Sequence, residues 1–516
     1  MTQDEVLLRI EGLKTYFHTY EGVVKALEGI DLDIGKGETV GLVGETGCGK
    51  SVTATTVMGL IPKPPGKIEA GRVFLGEPSR VTSLRQEYDS RFPKEDSSER
   101  KKEIDRLTKE LADLKGKASD ESIKNIKERL SALKYTYDIL YRSTAELNAI
   151  RGDRISMIFQ EPMTALNPAF TIGHQISETI ELHQFSKIVD DAIKLCEQER
   201  EAVKTRRIAR APAKMVRRSK KTAKAAVEVD EHSCKACNAP LRDDWMYCAS
   251  CGAMDLTGLS RIAPMALRRA WLSYSITYYK NLRRNPNNTL AYFIRVLPLL
   301  KRLERRFKLA KIMRAEDSLK EVKIAEPVRV AKSYPFELSG GMKQRAMIAM
   351  MMSCEPELLI ADEPTTALDV TVEVQILALM RELQRSKGTS ILLITHDLGV
   401  IAENCSRVAV MYAGYIVEMS SVNEIFRNAM HPYTAALLRS IPRIGAAYIH
   451  MRKKPLNIIP GVVPNLLKPP TGCRFHPRCE RALEVCRDVM PPLVEMAPGH
   501  TVACHNPVLE DLRRIA

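Results

Sequence analysis

An eight-residue motif near the amino terminus constrains the fold of this chain more than any other feature. Residues 44–51 read GETGCGKS and match the pattern G-x-x-x-x-G-K-S of phosphate-binding loops. The segment ETVGLV at 38–43 predicts a strand before the loop, and residues 51–60 predict a helix after it, which is the context that such a loop requires. Glycines let backbone N–H groups turn toward phosphates, and the positive end of the helix adds to the attraction. The motif therefore predicts an α/β fold that binds a nucleotide.

The loop and a later strand supply candidate ligands for the nucleotide and for Mg²⁺. Lys50 should reach the β- and γ-phosphates, and the Ser51 hydroxyl should bind Mg²⁺. Residues 358–363 read LLIADE, an apolar strand that ends in two acids. Asp362 should hold Mg²⁺ directly or through water, and Glu363 should polarise the attacking water. The predicted nucleotide ligands in the loop are Gly44, Glu45, Thr46, Gly47, Cys48, Gly49, Lys50 and Ser51.

Four further motifs stand in order along the chain. They read IFQEP at 158–162, LSGG at 338–341, ALD at 367–369 and ITHD at 394–397. Together with the loop and the acidic strand, they resemble the motifs of ATP-binding-cassette (ABC) ATPases. The resemblance implies the α/β fold of an ABC-type P-loop cassette, with ATP and Mg²⁺ as its cofactors and ATP hydrolysis as its reaction.

The resemblance also implies a role for single residues of these motifs. Gln160 would sense the γ-phosphate and help to hold Mg²⁺, and its loop would contact membrane subunits. His396 would act as the switch histidine in hydrolysis, together with Glu363 and Gln160. Phe17, or the neighbouring Tyr16, sits where the family stacks an aromatic ring on adenine.

In the family, ATP binds between two cassettes, and this chain carries one. Ser339, Gly340 and Gly341 would therefore contact the γ-phosphate of ATP held by a partner cassette, and Asp369 would belong to the D-loop. The resemblance implies a second ABC ATPase subunit as the partner, and we expect a heterodimer.

Longer segments narrow the resemblance to the dipeptide, oligopeptide and nickel importers. These segments are QEPMTALNP at 160–168, YPFELSGGM at 334–342 and MYAGYIVE at 411–418, with GCRFHPRC at 472–479 and CHNP at 504–507 in the tail. The resemblance implies an importer ATPase at the cytoplasmic face of the cell membrane, with peptides as the favoured solute and nickel or sugar left open. It also implies two transmembrane permease subunits and, indirectly, an extracytoplasmic solute-binding protein.

Two stretches of the chain lie outside the resemblance, which covers residues 1–78, 143–186 and 313–516. Apolar residues at spacings of three and four within 104–114 and 123–140 predict an antiparallel helical hairpin, interpreted as a plain surface helix pair without a ligand. The predicted segments are ABC core at 1–79, the inserted hairpin at 80–142, core at 143–186, an inserted basic zinc-ribbon segment at 187–312, core at 313–420, and an importer-type Cys-rich extension at 421–516.

Eight of the twelve cysteines form two groups, which in a reducing compartment indicates metal binding rather than disulfides. The spacing C-x2-C-x10-C-x2-C of the first group fits four thiolates around a structural Zn²⁺, with a redox pair as the alternative. The second group is spaced too widely for zinc knuckles, and the resemblance implies a [4Fe–4S] cluster there, with zinc or unligated thiols as alternatives. The predicted zinc ligands are Cys234, Cys237, Cys248 and Cys251, and the predicted cluster ligands are Cys473, Cys479, Cys486 and Cys504.

The excess of positive charge is concentrated in one segment. Residues 187–312 hold 28 Lys and Arg against 12 Asp and Glu, a net charge of +16 in a chain whose total is +15. Such a block suggests anionic lipid, nucleic acid or an acidic protein as its partner, or else a solvated tether. Trp271, Tyr274 and Tyr278 share one helical face, as in an interfacial helix at an anionic membrane, unless they cover the core of the zinc module.

A rival function is a nucleic-acid-handling ABC ATPase of the DNA-repair type, since those proteins also insert zinc modules into cassettes. We disfavour it because they carry two cassettes in one chain, whereas this chain has one and carries the importer tail. No apolar run is long enough to span a membrane, and residues 289–300 are interrupted by Arg295. The start, MTQDEVLL, carries acids where a signal peptide carries basic residues, so we expect a cytosolic chain.

Overall fold

The computed structural model describes residues 6–92, 98–114, 120–160, 165–216, 265–284, 301–366, 368–441 and 459–508. The chain divides into two compact units, one of Met1–Pro162 with Glu355–Ala516 and the other of Met163–Cys354. No helix within the described ranges is long and apolar enough to cross a membrane.

The strands of the described chain all belong to the first unit. They are β1 (Val6–Thr19), β2 (Gly22–Gly35), β3 (Thr39–Val43), β4 (Gly66–Leu75), β5 (Ile155–Ile158), β6 (Leu358–Asp362), β7 (Ser390–Thr395), β8 (Arg407–Tyr412), β9 (Tyr415–Ser421), β10 (Val494–Ala497) and β11 (His500–Val502).

The helices belong to both units. Those of the first unit are α1 (Lys50–Val57), α2 (Ser79–Arg91), α3 (Ser98–Leu114), α4 (Asp120–Leu133), α5 (Thr144–Ile150), α12 (Val370–Lys387), α13 (Leu398–Asn404), α14 (Val422–Asn428), α15 (Pro432–Ser440) and α16 (Val485–Asp488). Those of the second unit are α6 (Ile172–His183), α7 (Phe185–Val216), α8 (Met265–Arg284), α9 (Lys301–Glu321), α10 (Pro327–Lys332) and α11 (Gly340–Met352).

The larger sheet of the first unit has, among the described residues, the strand order β10-β11-β9-β8-β3-β7-β6-β5. Strands β5, β6, β7, β3 and β8 run parallel, and β3, β6 and β7 are buried along their whole length. Parallel strands buried on both faces read as continuous apolar runs, which is why these segments were recognisable in the sequence. The carboxyl ends of β3, β5, β6 and β7 meet at one edge, and the α/β fold is confirmed.

A second, antiparallel sheet has the order β2-β1-β4. Strand β1 pairs with both neighbours, and its register shifts between Thr15 and Tyr16 on the β2 side. Tyr16 and Phe17 lie in β1 directly after Thr15. Thr15 is buried, and its hydroxyl forms a hydrogen bond of 3.2 Å with the hydroxyl of Thr56 in α1.

The two helices of the predicted hairpin are present, but the prediction omitted a third helix, α2, that packs with them. Helix α4 contacts both α3 and α2, and the shared core includes Leu107, Leu130 and Tyr88. Helix α2 escaped prediction because its buried face contains a charge. Arg85 is only 2% exposed and is paired with Glu77 and with a carboxylate from β1, so the apolar period is broken there.

The described helices of the basic segment pack in the second unit. Helix α8 packs on α7, and Leu272 and Tyr279 of α8 are buried. Tyr278 is only 9% exposed, whereas Tyr274 is 51% exposed. The interpretation of Trp271, Tyr274 and Tyr278 as one exposed interfacial face is therefore wrong at Tyr278. The alternative, that these aromatics cover the core of the zinc module, stays a prediction, because the cysteines of that module lie outside the described residues. The proposed zinc ligands, Cys234, Cys237, Cys248 and Cys251, lie outside the described residues.

Candidate nucleotide site

The predicted phosphate-binding loop connects the end of β3 to the start of α1. Gly49 is the N-cap of α1 and has a left-handed backbone with φ of 104°. A Cβ on Gly44 would lie 2.2 Å from the carbonyl oxygen of Met411, so only glycine fits this close approach. The Lys50 ammonium donates to the carbonyl oxygens of Gly44 at 2.8 Å and Glu45 at 3.1 Å. The loop thus keeps its lysine folded over its own backbone, at the positive end of the helix.

Asp362 ends β6 close to the first turn of α1. Burial raises the pKa of its carboxyl, the charge of Glu363 adds to the rise, and a hydrogen bond with Ser51 opposes it. The Oδ1 atom of Asp362 is buried and has no hydrogen-bond partner among the described residues. A buried carboxylate oxygen without a donor, next to a serine hydroxyl, is a donor set that suits Mg²⁺. The residues therefore fit the metal ion that the sequence predicted here.

The Glu363 carboxylate, directly after β6, contacts residues that follow two other strands, β5 and β7. Nε2 of Gln160, which follows β5, donates to Oε2 of Glu363 at 2.7 Å. Nδ1 of His396, which follows β7, lies 3.1 Å from Oε1 of the same carboxylate. Burial alone would raise the pKa of Glu363, but the contacts with His396 and Gln160 outweigh it and lower the pKa. The carboxylate is thus kept ionised, as a group that polarises water must be.

Comparisons with known proteins agree with this geometry. The profile of the family described as ABC transporter matches residues 27–149 and 265–366, and that described as the oligopeptide/dipeptide transporter C-terminal region matches 417–486. A probable peptide ABC transporter ATP-binding protein, y4tR, of Sinorhizobium fredii is 32% identical over 502 residues, 97% of this chain and 95% of that protein. The chain belongs to the family of ABC transporter ATP-binding proteins.

Other members of the ABC family show similar agreement along the whole chain. A putative peptide import ATP-binding protein of Brucella abortus is 33% identical over 499 residues, 96% of each chain. The oligopeptide transport ATP-binding protein AppD of Bacillus subtilis is 31% identical over 498 residues, again 96% of each chain. This ABC protein is accordingly an ATP-hydrolysing subunit, and the nucleic-acid alternative is not favoured.

The adenine-stacking position of this ABC protein has two candidates with different surroundings. The Tyr16 hydroxyl donates to the Glu28 carboxylate, and Nη2 of Arg474 donates to the other oxygen of Glu28 at 3.0 Å. Burial and the hydrogen bond to Glu28 raise the pKa of Tyr16. The Phe17 side chain is half-buried and has no polar group that could form such a hydrogen bond, so Phe17 remains the predicted adenine contact.

The ABC signature and the D-loop residue both lie at helix N-termini. Ser339 is the N-cap of α11 and accepts a hydrogen bond from the Met342 N–H at 3.4 Å, with Gly340 and Gly341 forming the first turn. Asp369 is the N-cap of α12 and accepts from the Val372 N–H at 3.0 Å. Both caps satisfy free N–H groups of their helices. Contact of the signature with a partner's nucleotide stays a prediction.

The four tail cysteines of the ABC protein line one pocket. All are free thiols, and burial raises the pKa of the Cys504 thiol to about 11. No group of three or more His, Cys, Asp or Glu side chains that could hold a metal ion occurs in the described part of the chain. The thiols thus share a pocket without closing on a single-ion site. The residues that line it with them include Phe475 and His505; the cysteines are Cys473, Cys479, Cys486 and Cys504.

One set of contacts at the site was not predicted. Arg478, in the turn His476–Arg478 of the tail, pairs with Glu45 of the phosphate-binding loop. Tyr433 of α15 accepts a hydrogen bond from the N–H of the same loop residue. No periodic or spacing pattern in the sequence predicts such contacts between distant segments. The position of Arg478 beside the tail cysteine Cys479 is the one feature that could have drawn attention to it.

Proposed function

We propose that this chain is the ATPase subunit of a peptide importer. Hydrolysis is supported by one observation above all others, the Glu363 carboxylate held ionised by Gln160 and His396 beside the phosphate-binding loop. Peptide import is supported by the match of 417–486 to the oligopeptide/dipeptide transporter C-terminal region and by relatives named for peptide transport. The test is reconstitution with its permeases in vesicles. Uptake of labelled peptide should require ATP, and labelled nickel or sugar should not be taken up.

In the proposed mechanism, Lys50 and the loop amides bind the phosphates, and Phe17 stacks on adenine. Ser51 and Asp362 would hold Mg²⁺, and Gln160 would help to hold it; the ion, when bound, would supply positive charge next to the phosphates. Glu363 accepts a hydrogen bond from the attacking water, and His396 fixes the orientation of that carboxylate. The remaining loop contacts to ATP are those of Gly44, Glu45, Thr46, Gly47, Cys48 and Gly49.

The proposed assembly places this chain at the cytoplasmic face of the membrane, bound to two permease subunits and a second ABC ATPase subunit. Ser339, Gly340 and Gly341 contact the ATP of that partner, and Asp369 lies at the interface. A solute-binding protein delivers the solute from outside. Purification from native membranes, followed by mass spectrometry, should recover two permeases and a distinct ATPase. Recovery of this chain alone, or as its own dimer, contradicts the heterodimer.

The proposed metal content is one [4Fe–4S] cluster in the tail pocket and one structural Zn²⁺ at Cys234, Cys237, Cys248 and Cys251. The tail proposal is supported by four thiols that share a pocket, because a cluster accepts ligands spread more widely than those of a single ion. The zinc proposal is supported by the knuckle spacing alone. Both groups are structural or regulatory, since ATP hydrolysis transfers no electrons.

Anaerobically purified protein should contain about one zinc per chain and show brown iron–sulfur absorbance. We expect Cys473→Ser to lose iron and keep zinc, and Cys234→Ser to lose zinc and keep iron, because the two ligand sets are separate. Elemental analysis measures both metals. Iron absent from an iron-replete anaerobic preparation would leave zinc or unligated thiols for the tail.

We propose that the basic segment contacts anionic lipid through its charge alone. Tyr278 is buried and therefore cannot insert into a membrane interface. Each Lys or Arg near an anionic surface contributes about 1 kcal/mol, and salt screens this attraction. The full-length chain should therefore sediment with phosphatidylglycerol vesicles at low salt, leave them at high salt, and not bind phosphatidylcholine vesicles. Equal binding to both vesicles contradicts an electrostatic contact.

A further inference from the structure

The phosphate-binding loop is held from outside by a tail residue. The Arg478 guanidinium forms two parallel hydrogen bonds with the Glu45 carboxylate, Nη1 to Oε2 at 2.7 Å and Nη2 to Oε1 at 3.0 Å. Only 6% of the Arg478 side chain and 27% of the Glu45 side chain are exposed. A bidentate, charge-assisted and largely shielded pair of this kind is among the stronger side-chain contacts in proteins.

Arg478 is fixed by more than its partner in the loop. Its Nε donates to the Pro460 carbonyl oxygen at 2.8 Å, and Nη1 also donates to the Tyr412 hydroxyl at 3.2 Å. The hydrogen bonds with Glu45 raise the pKa of Arg478 against the opposing effect of burial. The guanidinium is therefore a rigid point from which the loop can be held.

Glu45 is engaged at each of its polar groups. Its N–H donates to the Tyr433 hydroxyl at 2.9 Å, its carbonyl oxygen accepts from Lys50 Nζ at 3.1 Å, and its carboxylate accepts from Arg478. Lys50 is the residue assigned to the β- and γ-phosphates. The position of Glu45 thus bears directly on where the Lys50 ammonium sits.

We propose that Arg478 is a positioning residue of the nucleotide site. Through Glu45 it sets the geometry of the phosphate-binding loop, and it neutralises a carboxylate that the loop would otherwise present near the phosphates. Arg478 does not itself contact the nucleotide. The proposal rests on the assignment of this loop to ATP under the proposed function.

The first test is nucleotide affinity of the full-length chain, titrated with MgADP, which is not turned over. Arg478→Ala should raise the Kd about tenfold, as expected for loss of a charge-assisted hydrogen-bonded pair. Arg478→Gln fills similar space and gives the same comparison if the alanine variant is unstable. Arg487→Ala is the matched control, because Arg487 is an exposed arginine of the same tail, and its Kd should equal that of the wild type.

The second test asks whether the effect passes through Glu45. If the freed carboxylate is what weakens binding, adding Glu45→Gln to Arg478→Ala should recover much of the lost affinity, and Arg478→Ala should cost little in a Glu45→Gln background. In the assembled transporter, Arg478→Ala should raise the KM for ATP by a similar factor, with kcat within about twofold, since ground-state binding is what is lost.

The outcomes separate this inference from the proposed function. Unchanged Kd in Arg478→Ala, while Lys50→Ala abolishes binding, overturns the inference and leaves the nucleotide site intact. A full tenfold loss from Arg478→Ala in the Glu45→Gln background also overturns it, as does a fall in kcat with unchanged KM. Normal MgADP binding by Lys50→Ala would instead remove the proposed nucleotide site.

Discussion

Glu363→Gln should lower ATP turnover by on the order of 10²-fold or more while ATP still binds. The amide keeps the size of the side chain but lacks the negative charge that polarises water. Gln160 and His396 contact the carboxylate at 2.7 Å and 3.1 Å, so one of them must face the amide group in the variant. Phosphate release by the assembled transporter measures turnover, and the nucleotide-bound cassette dimer should accumulate.

The same strand offers a matched control for this variant. Glu357 immediately precedes β6, at the opposite end from Glu363, and its carboxylate pairs with Arg154 at 2.6 Å and 3.0 Å. The Glu357→Gln variant makes the same chemical change away from the site, and its turnover should stay near that of the wild type. Wild-type turnover in Glu363→Gln would show that another group polarises the water.

Glu199→Ala should destabilise the helices of the second unit by roughly 3–5 kcal/mol. Glu199 is fully buried, and its carboxylate accepts from Nε of Arg306 at 3.1 Å and from Nη2 at 2.9 Å. Truncation leaves the Arg306 charge buried without this carboxylate, and that penalty exceeds the value of the pair itself. Chemical denaturation followed by circular dichroism measures the loss.

Replacement of both charges separates the cost of an isolated charge from the worth of the pair. Glu199→Leu with Arg306→Met should recover most of the lost stability, because apolar side chains of similar volume replace buried pairs at little cost. Lys320→Ala is the control on α9, since its pair with Asp317 is largely exposed and should contribute less than about 1 kcal/mol. A loss below 1 kcal/mol in Glu199→Ala contradicts the buried pair.

The edge of the sheet that carries the candidate site could be predicted because each motif follows a strand. Glu363 and His396 lie directly beyond β6 and β7, and parallel strands bring their carboxyl ends together whatever their separation in sequence. The periodic apolar pattern likewise found α3 and α4. Prediction failed where a buried face carries a paired charge, as at Arg85, because its partners come from other elements.

Tertiary pairing decided the other failures. The contact of Arg478 with Glu45 joins residues 433 positions apart, and nothing local marks either residue for the other. The burial of Tyr278 depends on how α8 packs on α7, whereas helical spacing alone gives only the relative directions of side chains. The cysteine spacing predicts a set of zinc ligands, and the binding of zinc by these four cysteines remains a prediction.

The order of strands in the large sheet has a consequence for synthesis on the ribosome. Strand β3 lies between β7 and β8, and Thr39 of β3 pairs with Ile391 of β7. At roughly 5–20 residues per second, the apolar β3 waits on the order of 20–70 s for its neighbours to be made. Residues 163–354, which form the second compact unit, are synthesised during that interval. The nascent chain therefore exposes the apolar strand that precedes its phosphate-binding loop for most of translation, and such a strand is prone to aggregate until its neighbours have been made.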